Sequence, residues 1–239
     1  MYSTVGEDEE VVRGLRIGGT LAALVGSNTS GQTVKQAVLD TLRNAILSGD
    51  LPVNTRLGQA EVAESLNVST TPVREALRHL ETEGLVRVDT HRGAVVRSLS
   101  RKDLEELFEI RIMLEPEVLR RAMPIPTDVL QAAEEIHEQI KSEVAPWRYP
   151  LLNREFHLTL YRATDLPRLV SILEGLMNQL MVYVSASLRA DPQQMERSIR
   201  EHALLLDAMR RNDVDAAIAL QIEHIAIPTV ALSFQATDH

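Results

Sequence analysis

Cysteine is absent from the 239 residues, which excludes a disulfide-stapled scaffold and any thiolate metal site. No uninterrupted apolar run is long enough to span a bilayer. The nearest approach to a leader, Gly14 to Val25, is mildly apolar but holds Arg16 and three glycines. It follows the acidic run Glu7-Asp8-Glu9-Glu10, the wrong sign for the start of a signal peptide. The expectation is a soluble, cytoplasmic protein. An excess of positive charge is missing too. The net charge is −9, which at first sight argues against a nucleic-acid partner.

That charge is unevenly spread. Residues 1–32 carry −2, residues 33–99 are neutral with eight charges of each sign, and residues 100–239 carry −7. Local placement matters more for phosphate contact than the total. Five of the eight cations in the middle segment, Arg74, Arg78, Arg87, Arg92 and Arg97, fall in one short region. Length admits one large domain or two modest ones with ample core. Residues 1–32 hold Gly, Ser, Thr and Asn without sustained periodicity and read as a flexible N-terminal extension. The patterns beyond it divide into 33–99 and 100–239.

The middle segment opens with a helix over Thr33 to Ser48, carrying Val34, Val38, Leu42, Ala45 and Ile46 on one side, and stopped by Gly49. The stretch Gln59 to Gly93 then reads as helix, tight turn, helix and two short strands. Val62, Ala63 and Leu66 form an apolar face, and Asn67 breaks that helix. Ser69, Thr70 and Thr71 are candidate N-caps for the next one, and Pro72 suits its first turn. Val73, Ala76, Leu77 and Leu80 line one face, with Arg74, Arg78 and His79 largely off it. Gly84 ends the helix; Leu85 to Val88 and Ala94 to Val96 read as a hairpin with Arg92-Gly93 at its tip. The pattern is a winged helix-turn-helix.

Leu42 to Val96 resembles the DNA-binding domain of the GntR family of bacterial transcription regulators. The resemblance rests on Leu42 to Pro52, Thr55-Arg56-Leu57, Thr71-Pro72-Val73-Arg74-Glu75-Ala76-Leu77-Arg78, Glu83-Gly84-Leu85-Val86 and His91-Arg92-Gly93-Ala94. It implies that the Thr70–Glu83 helix enters the major groove and that the His91-Arg92-Gly93 tip reaches the adjoining minor groove. Ser69, Thr70, Thr71, Arg74 and Arg78 would then be the DNA-contacting residues of the helix. Thr70 stands where relatives commonly carry arginine, and a hydroxyl reads guanine less selectively than a guanidinium.

From Ser100 onward the pattern is helical without strands. A helix from Ser100 holds Leu104, Leu107, Ile110, Ile112, Leu114, Val118 and Leu119, with Pro116 as a candidate kink. A second starts at Thr127 with Val129, Leu130, Ala133, Ile136 and Ile140. Others cover about 151–164, 167–190, 192–211 and 213–232, making a bundle of roughly six. The whole is mostly α, a winged helix-turn-helix followed by an all-helical bundle. Glu109 to Pro116, Phe156-His157 and Glu201-His202 resemble recurring patterns of the FCD ligand-binding domain, the helical partner in the FadR-type branch of the same family.

Of seven histidines, three fall on apolar helical faces of this half. Asn153 and His157 are spaced i, i+4 and project together. His202 shares a face with Met195, Ile199, Leu206 and Met209; His224 shares one with Ala217, Leu220 and Ala231. Imidazoles from three helices of one bundle can assemble a metal site. Spacing does not show that they converge; the FCD resemblance implies it, with an aspartate four residues before the first histidine. Here that position is Asn153, whose amide oxygen can ligate without bringing charge. Three neutral imidazoles suit Zn²⁺ or Ni²⁺; the alternative is hydrogen-bonded histidines lining a metal-free pocket. Arg111 is a candidate cation for an organic acid, or else a helix-surface ion pair with Glu115. Arg189 and Tyr183 are weaker candidates for the ligand. His79 is expected to face solvent or DNA, with His137 and His239 on the surface.

The expectation is a ligand-responsive transcription regulator, a repressor by the family's usual behaviour, whose helical half binds a small carboxylate metabolite, with a bound metal as the candidate means of holding it. The resemblance implies a homodimer, and two-fold symmetry a palindromic operator. Two competing readings are a regulator that senses the metal itself and a hydrolase in which three histidines and an open position activate water.

Overall fold

The computed structural model describes residues 33–89, 93–142, 147–191 and 193–226 and divides into two compact units, the first ending at Ser98 and the second beginning at Leu99, with Leu47–Gly49 counted in the second. The extension 1–32, the wing-tip residues His91 and Arg92, and His239 lie outside the described residues.

In the first unit, α1 (Val34–Ser48) buries Val38, Leu39, Leu42 and Ile46. Helices α2 (Gln59–Ser65) and α3 (Thr70–Thr82) follow. Asn67 turns the chain between them at φ 52°, a left-handed conformation that asparagine tolerates. Val62, Ala63 and Leu66 on one side and Val73, Ala76, Leu77 and Leu80 on the other are all buried, as the periodicity predicts. Arg43 on α1 donates Nε to Glu83 Oε2 at 2.9 Å and Nη2 to Oε1 at 2.5 Å. That two-pronged grip ties the end of α3 to α1. Ser69 holds the extended backbone of an N-cap, yet its side chain makes no capping bond. Packing of the apolar face, more than a hydroxyl cap, sets where α3 begins.

Three strands form the sheet among the described residues, one more than the sequence pattern shows. β1 (Arg56–Leu57), β2 (Val86–Asp89) and β3 (Gly93–Val96) lie antiparallel in the order β1-β3-β2. Two residues are too few for β1 to leave a periodic signal. Gly93 sits at φ +91°, where a Cβ would lie 2.2 Å from the Leu57 carbonyl oxygen. Close approach of β1 to β3 therefore requires glycine there.

The second unit holds six helices among the described residues: α4 (Arg101–Ala122), α5 (Thr127–Ser142), α6 (Tyr149–Tyr161), α7 (Pro167–Ala190), α8 (Gln193–Arg210) and α9 (Val214–Ala226). Ser100 caps α4 reciprocally: its Oγ accepts the Asp103 N–H at 3.2 Å, and Asp103 Oδ2 accepts the Ser100 N–H at 2.9 Å. Pro116 lies inside α4 without ending it. By length and composition α7 is apolar enough to cross a membrane; within the bundle it turns Val170, Leu173 and Met177 into the main core. That core also gathers Val118, Leu119, Phe156, Leu158, Tyr161, Leu205 and Met209. Helix α9 packs on α4 and α8, and α6 packs on α5 and α7. This arrangement brings α6, α8 and α9 around one interior point.

Candidate functional site

That point is occupied by three imidazoles. His157 comes from α6, His202 from α8 and His224 from α9, and their candidate ligand nitrogens all lie within 4.8 Å of one another. Ring centroids are 5.1 Å apart for His157 and His202, 5.0 Å for His157 and His224, and 4.9 Å for His202 and His224. His157 and His202 are fully buried. Phe156 stacks on His202 at 4.2 Å, so the neighbouring aromatic fixes one face of that ring. The sequence places each histidine on an apolar face; the packing of three helices makes them one cluster.

Several of their nitrogens have nothing to bond. His157 Nδ1 and both ring nitrogens of His202 are buried without a hydrogen-bond partner among the described residues, while the Nε2 atoms of His157 and His224 lie 3.1 Å apart. Each orphaned buried polar atom costs on the order of 1–3 kcal/mol. Burial first, then the neighbouring His224 and His202, hold the His157 pKa well below its ordinary value. Burial first, then His224 and His137, do the same to His202. Both are therefore kept as neutral imidazole, the form that ligates a metal. Nitrogens brought together from two buried rings and one half-buried ring fit a borderline cation such as Zn²⁺ or Ni²⁺.

Glu201 completes the surroundings. Its Oε2 is 2.7 Å from His224 Nδ1, so Nδ1–H donates to the carboxylate and Nε2 is left facing the cluster. A carboxylate behind a ligating histidine fixes tautomer and orientation. From sequence, Glu201 enters only as part of the Glu201-His202 pattern, with no role attached. It stands next to His202 in the chain, about 100° around the helix, and reaches a residue on another helix.

A cavity of about 40 Å³ adjoins His224; Val184, Leu188 and Ile225 line it together with the polar side chains of Arg111, Tyr149, Asn153, Arg197 and Ser198. Tyr149 donates to Ser198 Oγ at 2.5 Å. Asn153 Oδ1 stands farther from the same hydroxyl, at 3.3 Å, and so remains a weakly held group at the cavity wall. Arg111 does pair with Glu115, Nε to Oε1 at 2.5 Å, but the pair is buried and not on the helix surface. Tyr161 and Gln221 each donate to Glu115 Oε2 at 2.6 Å, which satisfies the carboxylate in the interior. His137 is also misplaced by the surface expectation. It is buried with Nδ1 unpartnered, its ring 6.0 Å from that of His202. Its spacing from Ala133 and Ile140 on α5 was the signal available. Tyr183 and Arg189 are otherwise engaged: the Tyr183 hydroxyl accepts the Leu99 N–H, and Arg189 Nη1 donates to Ser185 Oγ at 2.9 Å.

In the first unit, Ser69, Thr70, Thr71, Arg74 and Arg78 are exposed on α3 or at its start, opposite the buried face. Arg74 and Arg78 are one turn apart, and Arg87 on β2 is exposed as well. Gly93 is buried at the start of β3.

Residues 34–96 match the model for bacterial regulatory proteins of the gntR family, and residues 106–226 match the FCD domain. The chain is 30% identical over 213 residues to the probable D-xylose utilization operon transcriptional repressor of Paenarthrobacter nicotinovorans, covering 87% of this chain and 90% of that protein. It is 29% identical over 192 residues to the gluconate operon transcriptional repressor of Bacillus subtilis (strain 168), covering 77% of each. Among solved structures, E. coli McbR/YncC shares the fold, with a TM-score of 0.67 at 23% identity over 85% of this chain and 99% of that one.

Proposed function

The chain belongs to the GntR family of bacterial regulatory proteins, with an FCD domain, and from that premise we propose that it is a cytoplasmic, homodimeric repressor whose helical unit binds a small carboxylate metabolite beside a divalent metal. That it is a DNA-binding, ligand-responsive transcription regulator and not an enzyme follows from the family. The metal and the class of effector are the proposal. One observation carries it: imidazoles from three helices converge, two of them fully buried and holding ring nitrogens without a partner among the described residues.

His157, His202 and His224 would hold the ion, Zn²⁺ or Ni²⁺, and Glu201 would orient His224 toward it. A bound ion supplies positive charge and an open coordination position for an anionic ligand. Asn153 brings an oxygen without a charge, so the occupied site is more positive than one built with aspartate. That favours an anionic effector at some cost in metal affinity. The gluconate operon repressor is named for a sugar acid, the same chemical class. On DNA, α3 would lie in the major groove with Thr70, Arg74 and Arg78 toward it, and Ser69 and Thr71 at its entry. The wing would reach the minor groove, and two copies would read a palindromic operator.

Titration of chelator-treated protein with Zn²⁺ and Ni²⁺ tests the reading. Wild type is expected to bind one ion per chain, His202→Ala to lose most of that binding, and Asn153→Asp to bind more tightly. Wild type that stays folded and binds neither ion returns the three histidines to pocket residues. Operator release by metal alone, without organic ligand, would make the protein a metal sensor.

A further inference from the structure

Two arginines line the cavity beside His224, and they are not equivalent. Arg111 has its charge balanced inside the bundle by Glu115. Arg197, on α8, does not. Its Nη2 lies 3.2 Å from Asp191 Oδ2 in an ion pair with both side chains more than a third exposed, a pairing of little worth in water. Its Nε is buried and has no hydrogen-bond partner among the described residues. A guanidinium N–H withdrawn from water is costly unless it meets an acceptor, and a carboxylate is the acceptor that guanidinium geometry suits best.

The neighbours supply further donors. Ser198 Oγ already accepts the Tyr149 proton at 2.5 Å, so its own hydroxyl hydrogen is available to an acceptor. The one carboxylate on the cavity wall, Glu201, is turned to His224 Nδ1 at 2.7 Å. The anionic side chain is thus committed elsewhere, while Arg197 and Ser198 are among the residues that line the space. About 40 Å³ is far below the volume of a whole ligand pocket. That size suits one end of a ligand, such as its carboxylate.

We propose that Arg197 anchors the anionic end of the effector, its Nε–H donating to a carboxylate oxygen in the cavity beside His224, with the Ser198 hydroxyl as second donor. This rests on the reading above that the effector is a small carboxylate. It transfers the role of effector cation from Arg111 to Arg197. Arg111 stays with Glu115 as a structural pair.

The test is calorimetric titration of full-length protein, in excess zinc, with glycolate, L-lactate and D-gluconate, and with glycolamide as the neutral control. Wild type is expected to bind at least one of the carboxylates and not glycolamide. Arg197→Met should weaken that carboxylate by about tenfold to a hundredfold, the worth of one hydrogen bond to a charged group, and Arg197→Lys should recover part of it. Thermal melts run alongside identify any variant that has lost its fold. In wild type the Arg197 Nε–H signal in ¹⁵N NMR should shift on carboxylate addition, a readout that does not depend on any variant folding. Equal carboxylate affinity in wild type and folded Arg197→Met, or an unmoved Nε–H signal at saturation, overturns the role of Arg197 while leaving a carboxylate effector in place. Wild type that binds none of the three carboxylates overturns both readings.

Discussion

His202 has two buried ring nitrogens and no partner for either, an arrangement that a protein interior tolerates only with compensation. The compensation without an ion is neutrality. Burial holds the pKa of His157 and of His202 well below the ordinary 6.5, so the folded chain refuses protons that the unfolded chain accepts. Their contribution is then fully present above about pH 6.5 and is lost as the pH falls below it, because there the unfolded state binds more protons. Urea unfolding of chelator-treated protein should show a loss between pH 7.5 and 5.5 of roughly 1 kcal/mol per buried imidazole. His202→Gln should flatten that decline by about half. An unchanged slope in the variant would mean that the folded chain takes up the proton on His202.

At the scale of the element, α3 separates its two jobs cleanly. Val73, Ala76, Leu77 and Leu80 are buried, while Thr70, Thr71, Arg74 and Arg78 are exposed. A substitution on the exposed side therefore opens no cavity, so a change in operator binding can be read apart from stability. Arg74→Ala should weaken operator binding by about 1–3 kcal/mol if the guanidinium reads a base, with the unfolding midpoint little changed. Electrophoretic mobility shifts at one fixed salt concentration measure it, and an unaltered affinity removes Arg74 from the interface. Helix α4 shows the opposite economy. It opens with an exposed capping box at Ser100 and Asp103 and buries an ion pair a few turns later.

Across the whole molecule, each unit encloses apolar side chains of its own, Leu42, Leu77 and Leu80 in one and Leu119, Phe156 and Leu173 in the other. The histidine cluster belongs wholly to the second. An ion that binds only the native cluster stabilises that unit by mass action, about 2.7 kcal/mol at a free concentration of 100 times Kd. Calorimetry of the full chain with and without zinc should raise the unfolding of the helical unit and leave that of the winged unit near its original temperature. Equal displacement of both would show that the units unfold as one.

Much of this was legible from residue order. The period of 3.6 in α3 and the i, i+4 spacing on α6 are local, and they assign buried and exposed faces wherever one side of a helix must leave water. The winged helix-turn-helix, the helical second half and the inward faces of His157, His202 and His224 follow from that alone. Residue order does not carry distance between elements. The strand β1 is two residues long and exists only because β3 lies beside it. Arg111 pairs with Glu115 as spacing allows, but that pair lies in the interior because α6 and α9 supply Tyr161 and Gln221 to the same carboxylate. His137, Glu201 and Arg197 acquire their roles from neighbours on other helices or across the cavity. Periodicity is a property of one element, whereas an orphaned nitrogen or a shared carboxylate is a property of several packed together, and only the tertiary structure decides it.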